Sequence, residues 1–141
     1  MKTYRYPVTL EPGDTPGVIV ASFADVPEAI TEGDDETNAR EQASDALGLA
    51  LLVYVRSGRD LPPPSKGKDL IAPPADVAAK LAVIETFKAS GLSRIELGRR
   101  LGKDEKQVRR ILDPMHGTDI GSLDNALSAM GKRLVIGLEA A

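Results

Sequence analysis

The residues of this sequence that are best suited to bind a polyanion are concentrated in one stretch, residues 93–112. It holds seven lysines and arginines against three acidic residues, in a chain whose formal net charge is −3. Lysine and arginine neutralise phosphates, while arginine and glutamine also form hydrogen bonds with base edges in the major groove. The stretch is therefore a candidate for binding DNA, provided that its backbone holds these side chains on one face.

The other residues of this stretch predict two short helices joined by a tight turn. Ser93 and Glu96 have the spacing of a capping box, so the first helix should begin directly after Ser93. Gly98 is small where a second helix must cross closely, and Gly102 falls where the turn needs a positive φ angle. Asp104 is placed to cap the second helix. This order of signals predicts a helix-turn-helix.

The two predicted helices should each have an inward apolar face and an outward polar face. The residues expected to point inward are Leu97, Leu101, Val108, Ile111 and Leu112. The residues expected to contact bases or phosphates from the second helix are Lys106, Gln107, Arg109 and Arg110, with Arg94 and Lys103 as phosphate anchors. A solvated surface hairpin is the alternative, and the agreement of the small, glycine and apolar positions favours DNA binding.

Two other groups of residues could carry chemistry. His116 is the single histidine and the chain has no cysteine, so a metal site or a catalytic role there would lack partners. We interpret His116 as a loop residue that is exposed or near the DNA backbone, and we expect no cofactor. A nuclease would need clustered carboxylates holding two metal ions about 4 Å apart. The candidate carboxylates, which fall mostly in turns and caps, are Glu11, Asp14, Asp25, Glu28, Glu32, Asp34, Asp35 and Glu36. A solvated acidic surface, or one facing a basic partner, explains them more simply.

The first half of the chain predicts a small sheet that carries one long helix. Strands are predicted at residues 3–11, 18–24, 29–33 and 69–72. Asp35 should cap the helix and Gly58 should end it. Alanines recur along this helix at intervals of three and four, which would let it lie close to the sheet.

The second half predicts helices on both sides of the helix-turn-helix, followed by a strand. One helix begins near Pro74, ends at Gly91 and has a core stripe of Val77, Leu81, Ile84 and Phe87. Another, near residues 120–130, should bury Leu123, Leu127 and Met130. Residues 133–139 alternate as a strand without an obvious partner, so we expect them to pair with the same strand of a second subunit in a homodimer, with tetramers as a further possibility.

Charge divides the chain into two parts. Residues 1–65 carry 5 basic and 11 acidic residues, whereas residues 66–141 carry 13 basic and 10 acidic residues. We therefore predict an N-terminal domain at 1–65, a linker at 66–73 and a DNA-binding and dimerisation domain at 74–141. The N-terminus lacks an apolar signal core and no segment approaches membrane-spanning length, which with the absence of cysteine suits the cytoplasm of a bacterium or archaeon.

The order of these features resembles a HicB-type antitoxin of a toxin–antitoxin pair, in the branch that has a helix-turn-helix. The segments that carry the resemblance are residues 4–10, residues 23–34, the helix with Ala39, Ala43 and Ala46, residues 61–65, residues 97–103, residues 129–132 and the last strand. It thus covers nearly the whole chain. Gly98 is one departure, because alanine is usual in such motifs; glycine costs about 1 kcal/mol of helix stability but keeps the crossing close.

The resemblance implies an α+β fold, with a partial RNase H-like N-terminal domain followed by an all-α helix-turn-helix domain and a C-terminal strand. It also implies a non-enzymatic antitoxin that neutralises a small, mRNA-cleaving HicA-like toxin and represses its own operon. The sequence does not indicate which residues would contact the toxin. Two alternatives stay open: a free-standing repressor whose N-terminal domain senses a ligand or oligomerises, and a metal-dependent nuclease.

Overall fold

The computed structural model describes residues 1–140, which form five strands and five helices. The strands are β1 (Tyr6–Pro7), β2 (Thr9–Pro12), β3 (Ile19–Ser22), β4 (Thr31–Gly33) and β5 (Leu70–Ile71). The helices are α1 (Glu36–Arg56), α2 (Ala75–Ser90), α3 (Arg94–Leu101), α4 (Glu105–Leu112) and α5 (Ile120–Ala129). The chain forms two compact units, which divide between Ala78 and Ala79. Strands followed by helices confirm the predicted α+β class.

The strand predicted at residues 3–11 is divided at Val8. Beyond Val8, β2 pairs with β3 and β3 with β4 in an antiparallel sheet of three strands. Before it, β1 pairs with β5, and the Val8 N–H itself donates to the Asp69 carbonyl at 3.0 Å. The prediction of one continuous strand was wrong because the two ends of this segment pair with different partners.

The helix α1 lies directly on this sheet. Asp35 caps it by accepting a hydrogen bond from the Asn38 N–H at 2.8 Å, and Gly58 follows it with a φ angle of 75°. Both predicted ends are confirmed. A side chain at Gly33 in β4 would meet the Ala39 backbone nitrogen at 2.2 Å, so glycine and alanine together allow this close approach. Ala39, Ala43 and Leu47 of α1 are fully buried.

Residues 61–73, which we call the anchored segment, are held against the first unit. The Tyr6 hydroxyl donates to the Pro62 carbonyl at 2.7 Å. The Asp25 carboxylate accepts hydrogen bonds from the backbone N–H of Ser65 at 2.8 Å and from its hydroxyl at 2.6 Å. These bonds give the proline-rich stretch a defined path along the unit.

The second part of the anchored segment, predicted as a linker, is held by α1 as well as by β1. The Arg40 guanidinium forms hydrogen bonds to both carboxylate oxygens of Asp69, at 2.9 and 2.7 Å, and lowers the pKa of that carboxyl group. The Ser44 hydroxyl donates to the Ala72 carbonyl at 2.7 Å. Ile71 is buried. Residues 66–73 therefore pack as part of the first unit, and the predicted division into functional domains stays a prediction.

The second unit is built around a core that α2, α4 and α5 share. Its buried members are Ala79, Val83, Ile111, Leu123, Ala126 and Leu127. Leu123 and Leu127 confirm the sequence prediction, whereas Met130 is half-buried at the edge of the core. The predicted α2 stripe was partly wrong. Its members Val77, Ile84 and Phe87 are half-buried, because the Ala79 and Val83 face packs against the core instead.

Residues 132–140 form no strand within the described part of the chain. Leu134 packs against the core, and its N–H donates to the Asp124 carboxylate at 3.0 Å. Beyond it, Val135, Ile136 and Leu138 are exposed. A strand requires a paired backbone, which was expected only from a second subunit, so that expectation stays a prediction.

Candidate nucleic-acid interface

The first helix of the candidate interface, α3, begins where the sequence predicts. The Ser93 hydroxyl caps it by accepting the Glu96 N–H at 3.1 Å. The Glu96 carboxylate turns outward, where it forms ion pairs with Arg99 and with Arg100. Only the serine half of the expected capping box is therefore formed. Arg94, the predicted phosphate anchor, is exposed in the first turn.

The turn between α3 and α4 has the tight geometry of a helix-turn-helix. Gly102 adopts a left-handed conformation with a φ angle of 66°, and the Lys103 N–H donates to the Gly98 carbonyl at 2.9 Å. A side chain at Gly98 would meet the Lys103 carbonyl oxygen at 2.7 Å and Val108 Cγ2 at 3.2 Å. The predictions for both glycines are confirmed.

The second helix, α4, has one buried and one exposed face. Asp104 and Gln107 form a full capping box, in which Gln107 Oε1 accepts the Asp104 N–H at 3.0 Å. Val108 and Ile111 are buried. This arrangement fixes α4 through its N-terminus and its apolar face, and it uses the carbonyl oxygen of the Gln107 side chain within the cap.

The remaining predicted contact residues of α4 lie on its exposed face. Lys106, Arg109 and Arg110 are exposed. Arg109 forms an ion pair with Glu105 at 3.0 Å, and both side chains are more than 60% exposed. Such surface pairs contribute little free energy, so the Arg109 guanidinium can exchange Glu105 for another anion.

An open cleft beside α4 brings three of the six predicted contact residues together. It is lined by Lys103, Gln107, Arg110, Ile111, His116, Gly117, Thr118, Asp119 and Ser122. Arg94, Lys106 and Arg109 lie outside it. His116, which was interpreted as a loop residue, is exposed here next to the basic residues. Asp119 caps α5, and hydrogen bonds from Ser122 lower the pKa of its carboxyl group.

Sequence reasoning missed one residue that supports α4 from inside the unit. Lys80 on α2 is only 4% exposed, and burial lowers the pKa of its amine to about 8. Its Nζ donates to the carbonyls of Arg110 and Ile111 at 3.1 and 2.8 Å, and to Thr118 Oγ1 at 2.7 Å. One signal could have found it, because Lys80 follows Val77 by three residues and therefore falls within the predicted apolar stripe.

Several carboxylates considered for a nuclease site have structural partners. Asp25 holds Ser65, Glu28 accepts a hydrogen bond from the Tyr54 hydroxyl at 3.0 Å, and Glu36 pairs with Arg40 at 3.2 Å. Among residues 1–140 there is no group of three acidic or histidine side chains placed to hold one metal ion.

Comparison with known proteins gives the family. The sequence model of the family described as "HicB_like antitoxin of bacterial toxin-antitoxin system" matches residues 5–90. The chain belongs to this family. The match covers the first unit from residue 5 onward and α2, and it ends before the helix-turn-helix begins.

Relatives of this HicB-like chain extend the similarity over both units. It is 40% identical to Antitoxin HicB 1 of Photorhabdus laumondii, over 99% of this chain and 90% of the relative. It is 38% identical to Antitoxin HicB of Escherichia coli K12, over 92% of this chain and 96% of the relative. It is 36% identical to Antitoxin HicB of Pseudomonas fluorescens, over 94% of this chain and 93% of the relative. The helix-turn-helix therefore lies within a region shared with antitoxins.

The family places this HicB-like chain in a bacterial toxin–antitoxin system, in which an antitoxin pairs with a toxin. No helix within residues 1–140 has both the length and the apolar character needed to cross a bilayer.

Proposed function

We propose that this chain is a non-enzymatic antitoxin that also represses its own operon. Its first unit binds and neutralises a small, mRNA-cleaving HicA-like toxin, and its second unit binds operator DNA. The observation that supports DNA binding is the helix-turn-helix. Its α4 packs on α3 through Val108 and Gly98, and this leaves the basic face of α4 exposed. Both partners, the mRNA-cleaving toxin and the operator DNA, belong to the bacterial cytoplasm.

In this proposal α4 is the recognition helix. Lys106, Arg109 and Arg110 contact bases or phosphates, and Gln107 contributes through its amide nitrogen because its oxygen belongs to the cap. Arg94 at the start of α3 and Lys103 in the turn contact phosphates. Lys103, Arg110 and His116 also line the cleft beside α4. A DNA strand there would meet cationic and hydrogen-bonding groups in addition to those on the exposed face of α4.

Toxin binding is assigned to the first unit because of its charge and family match. Residues 1–78 carry 13 acidic and 7 basic residues, so this unit suits a basic partner. The family match at residues 5–90 covers this unit and not the helix-turn-helix. Both facts support separate surfaces for toxin and DNA.

The experiment that tests DNA binding uses two variants of the exposed α4 face. Lys106→Ala and Arg109→Ala, made separately, should each weaken binding to a labelled duplex that carries the sequence upstream of the operon. A residue that reads a base should lose about 1–3 kcal/mol and relax specificity at one position. A phosphate contact should instead weaken binding to all sequences and reduce the salt dependence. Fluorescence anisotropy over a salt series distinguishes these two roles.

Arg56→Ala is the matched control, because Arg56 is an exposed basic residue of the first unit. It removes the same charge and should leave DNA affinity within about twofold of the original value, as expected of an exposed charge outside the interface. If neither α4 variant weakens binding more than the Arg56 variant does, the recognition helix has been assigned wrongly.

A further inference from the structure

Lys80 is a buried charged side chain to which the proposed function assigns no role. Its ammonium group reaches from α2 to the last turn of α4 and to the loop that precedes α5. It donates hydrogen bonds to the Arg110 and Ile111 carbonyls and to the Thr118 hydroxyl, all within 3.1 Å. It thus joins the last turn of α4 to the loop before α5.

The C-terminal end of α4 needs such a partner. The last four carbonyls of a helix have no N–H within the helix to accept from, and they form its negative end. Asp113 closes part of this end by donating its N–H to the Arg110 carbonyl at 3.3 Å. The Lys80 ammonium supplies the Ile111 carbonyl with a partner at 2.8 Å and brings a positive charge to the negative end.

Burial of a lysine is costly, and a smaller apolar core residue would avoid that cost. The neighbouring core positions on α2, Ala79 and Val83, are apolar. The buried charge lies at an α2 position whose side chain reaches both the end of α4 and Thr118. That location points to a role in holding α4 in place.

We propose that Lys80 is a positioning residue for DNA binding, whose buried ammonium fixes the C-terminal end of α4 and the following loop in the orientation that DNA requires. This proposal rests on the proposed DNA-binding function. Arg110 and His116 lie on the two segments that Lys80 joins, and both line the cleft beside α4. Since hydrogen bonds to bases are directional, a small rotation of α4 would misplace its contact residues together.

The protonation of Lys80 gives a readout that a purely structural role would not move. The ionisable residues on the elements around it are Glu105, Lys106, Arg109 and Arg110 on α4, Asp113, His116 and Asp119 beyond it, and Asp76, Glu85 and Lys88 on α2. Burial lowers the pKa of Lys80 to about 8, and the charge of Asp113 partly opposes this. Bound phosphates would favour the ammonium and raise its pKa, so binding should take up protons and weaken as pH rises past 8.

The test compares Lys80→Met with Lys80→Arg, which keeps the charge, and with Lys88→Met, which removes an exposed lysine from the same helix. Affinity for a labelled duplex with the upstream sequence, and for a scrambled duplex, is measured one pH unit below and one above the Lys80 pKa. Lys80→Met should bind about tenfold more weakly, because the end of α4 would have to be ordered on binding, and it should lose part of the pH dependence. Lys80→Arg should recover part of the affinity, and Lys88→Met should behave as the unaltered chain.

Amide hydrogen exchange without DNA tests the positioning itself. Lys80→Met should exchange faster at residues 108–118 and unchanged in α1. Thr118→Val removes one acceptor without burying or removing a charge, so it should fold and show a smaller effect in the same segment. If Lys80→Met is unfolded, Thr118→Val decides the result.

Two results would overturn the proposal: unchanged exchange at residues 108–118, or faster exchange there with unchanged affinity for the upstream duplex. Failure of the proposed function gives a different pattern. In that case the unaltered chain would bind the upstream and scrambled duplexes equally, while the exchange data would still decide whether Lys80 holds the end of α4.

Discussion

Single atoms determine the geometry of the helix-turn-helix at Gly98 and at Gly102. The missing Cβ of Gly98 lets the Lys103 carbonyl and Val108 approach α3, and the φ angle of 66° at Gly102 reverses the chain between the helices. Alanine at position 98 would have the higher helix propensity. In this chain, however, a Cβ at position 98 would lie too close to the Lys103 carbonyl oxygen, so packing favours glycine even though helix propensity favours alanine.

We predict that Gly98→Ala destabilises the second unit. Alanine should contribute about 1 kcal/mol of helix propensity. Its Cβ would lie 2.7 Å from the Lys103 carbonyl oxygen, however, so backbone must shift, at a cost of about 1–3 kcal/mol. The net result should be a lower midpoint in urea unfolding followed by far-ultraviolet circular dichroism.

Gly117→Ala is the control for that experiment. A Cβ at Gly117 would meet no atom within 4 Å, and its φ angle lies outside the left-handed region. It should leave the urea midpoint unchanged or raise it slightly. Equal midpoints for both variants would mean that the turn relaxes around the added methyl group at no cost.

At the scale of elements, the end signals of the helices act locally and were predictable. Asp35, Ser93 and Asp104 cap helices as their spacing predicts, and Gly58 and Gly102 follow helices with positive φ angles. Each of these depends on backbone sterics and hydrogen bonds within a few residues. The packing of one face of an element depends instead on residues far away in the sequence. For this reason the core face of α2 and the pairing of the first strand differed from prediction.

The C-terminal segment gives the prediction at this scale. Leu134 packs against the core, whereas Val135, Ile136 and Leu138 are exposed, so deletion of residues 135–141 should leave the unit folded. If these residues pair with a second copy, the deletion should convert dimers to monomers in analytical ultracentrifugation. Binding to an operator with two half-sites should weaken at the same time.

Ile136→Asp is a second variant that keeps the backbone of the segment. It should also shift the equilibrium to monomers, because an aspartate would be buried in the paired face. Lys132→Asp, outside the alternating segment, serves as its control. Dimers that persist through the second unit after the deletion would contradict strand pairing as the basis of dimerisation.

At the scale of the whole molecule, the anchored segment decides where the first unit ends. The sequence predicts the prolines as a stiff exit from a domain at 1–65, and composition alone cannot show that Tyr6, Asp25 and Arg40 hold this exit in place. These partners come from distant parts of the sequence. The same holds for Lys80, whose acceptors lie beyond the turn. The caps and the turn of the helix-turn-helix were therefore predictable, and the Lys80 hydrogen bonds that support α4 were not.

We predict that a fragment of residues 1–78 is more stable than one of residues 1–65. The shorter fragment lacks β5, the Asp69 partner of Arg40 and the buried Ile71, whose side chain alone contributes about 2 kcal/mol. Thermal unfolding of the two fragments measures the difference. Equal midpoints would show that residues 66–78 add nothing to the unit.

The same fragments test the division of labour between the units. A HicA-like toxin encoded in the same operon should bind the 1–78 fragment in a pull-down and should shift the operator affinity of the full chain. A fragment of residues 70–141, which keeps α2 whole, should bind operator without responding to toxin. If this fragment responds as the full chain does, the toxin contacts the second unit.

The positions of the aromatic residues make the two units distinguishable by spectroscopy. The chain has no tryptophan, and its three tyrosines, Tyr4, Tyr6 and Tyr54, all belong to the first unit. Tyrosine emission therefore monitors that unit alone, while the ellipticity at 222 nm monitors helices throughout the chain. Because the Tyr6 hydroxyl donates to Pro62, its emission should also respond when the anchored segment detaches. A single tryptophan introduced in place of Phe87 on α2 would give the second unit a fluorophore of its own, excited selectively at the red edge of the absorption band.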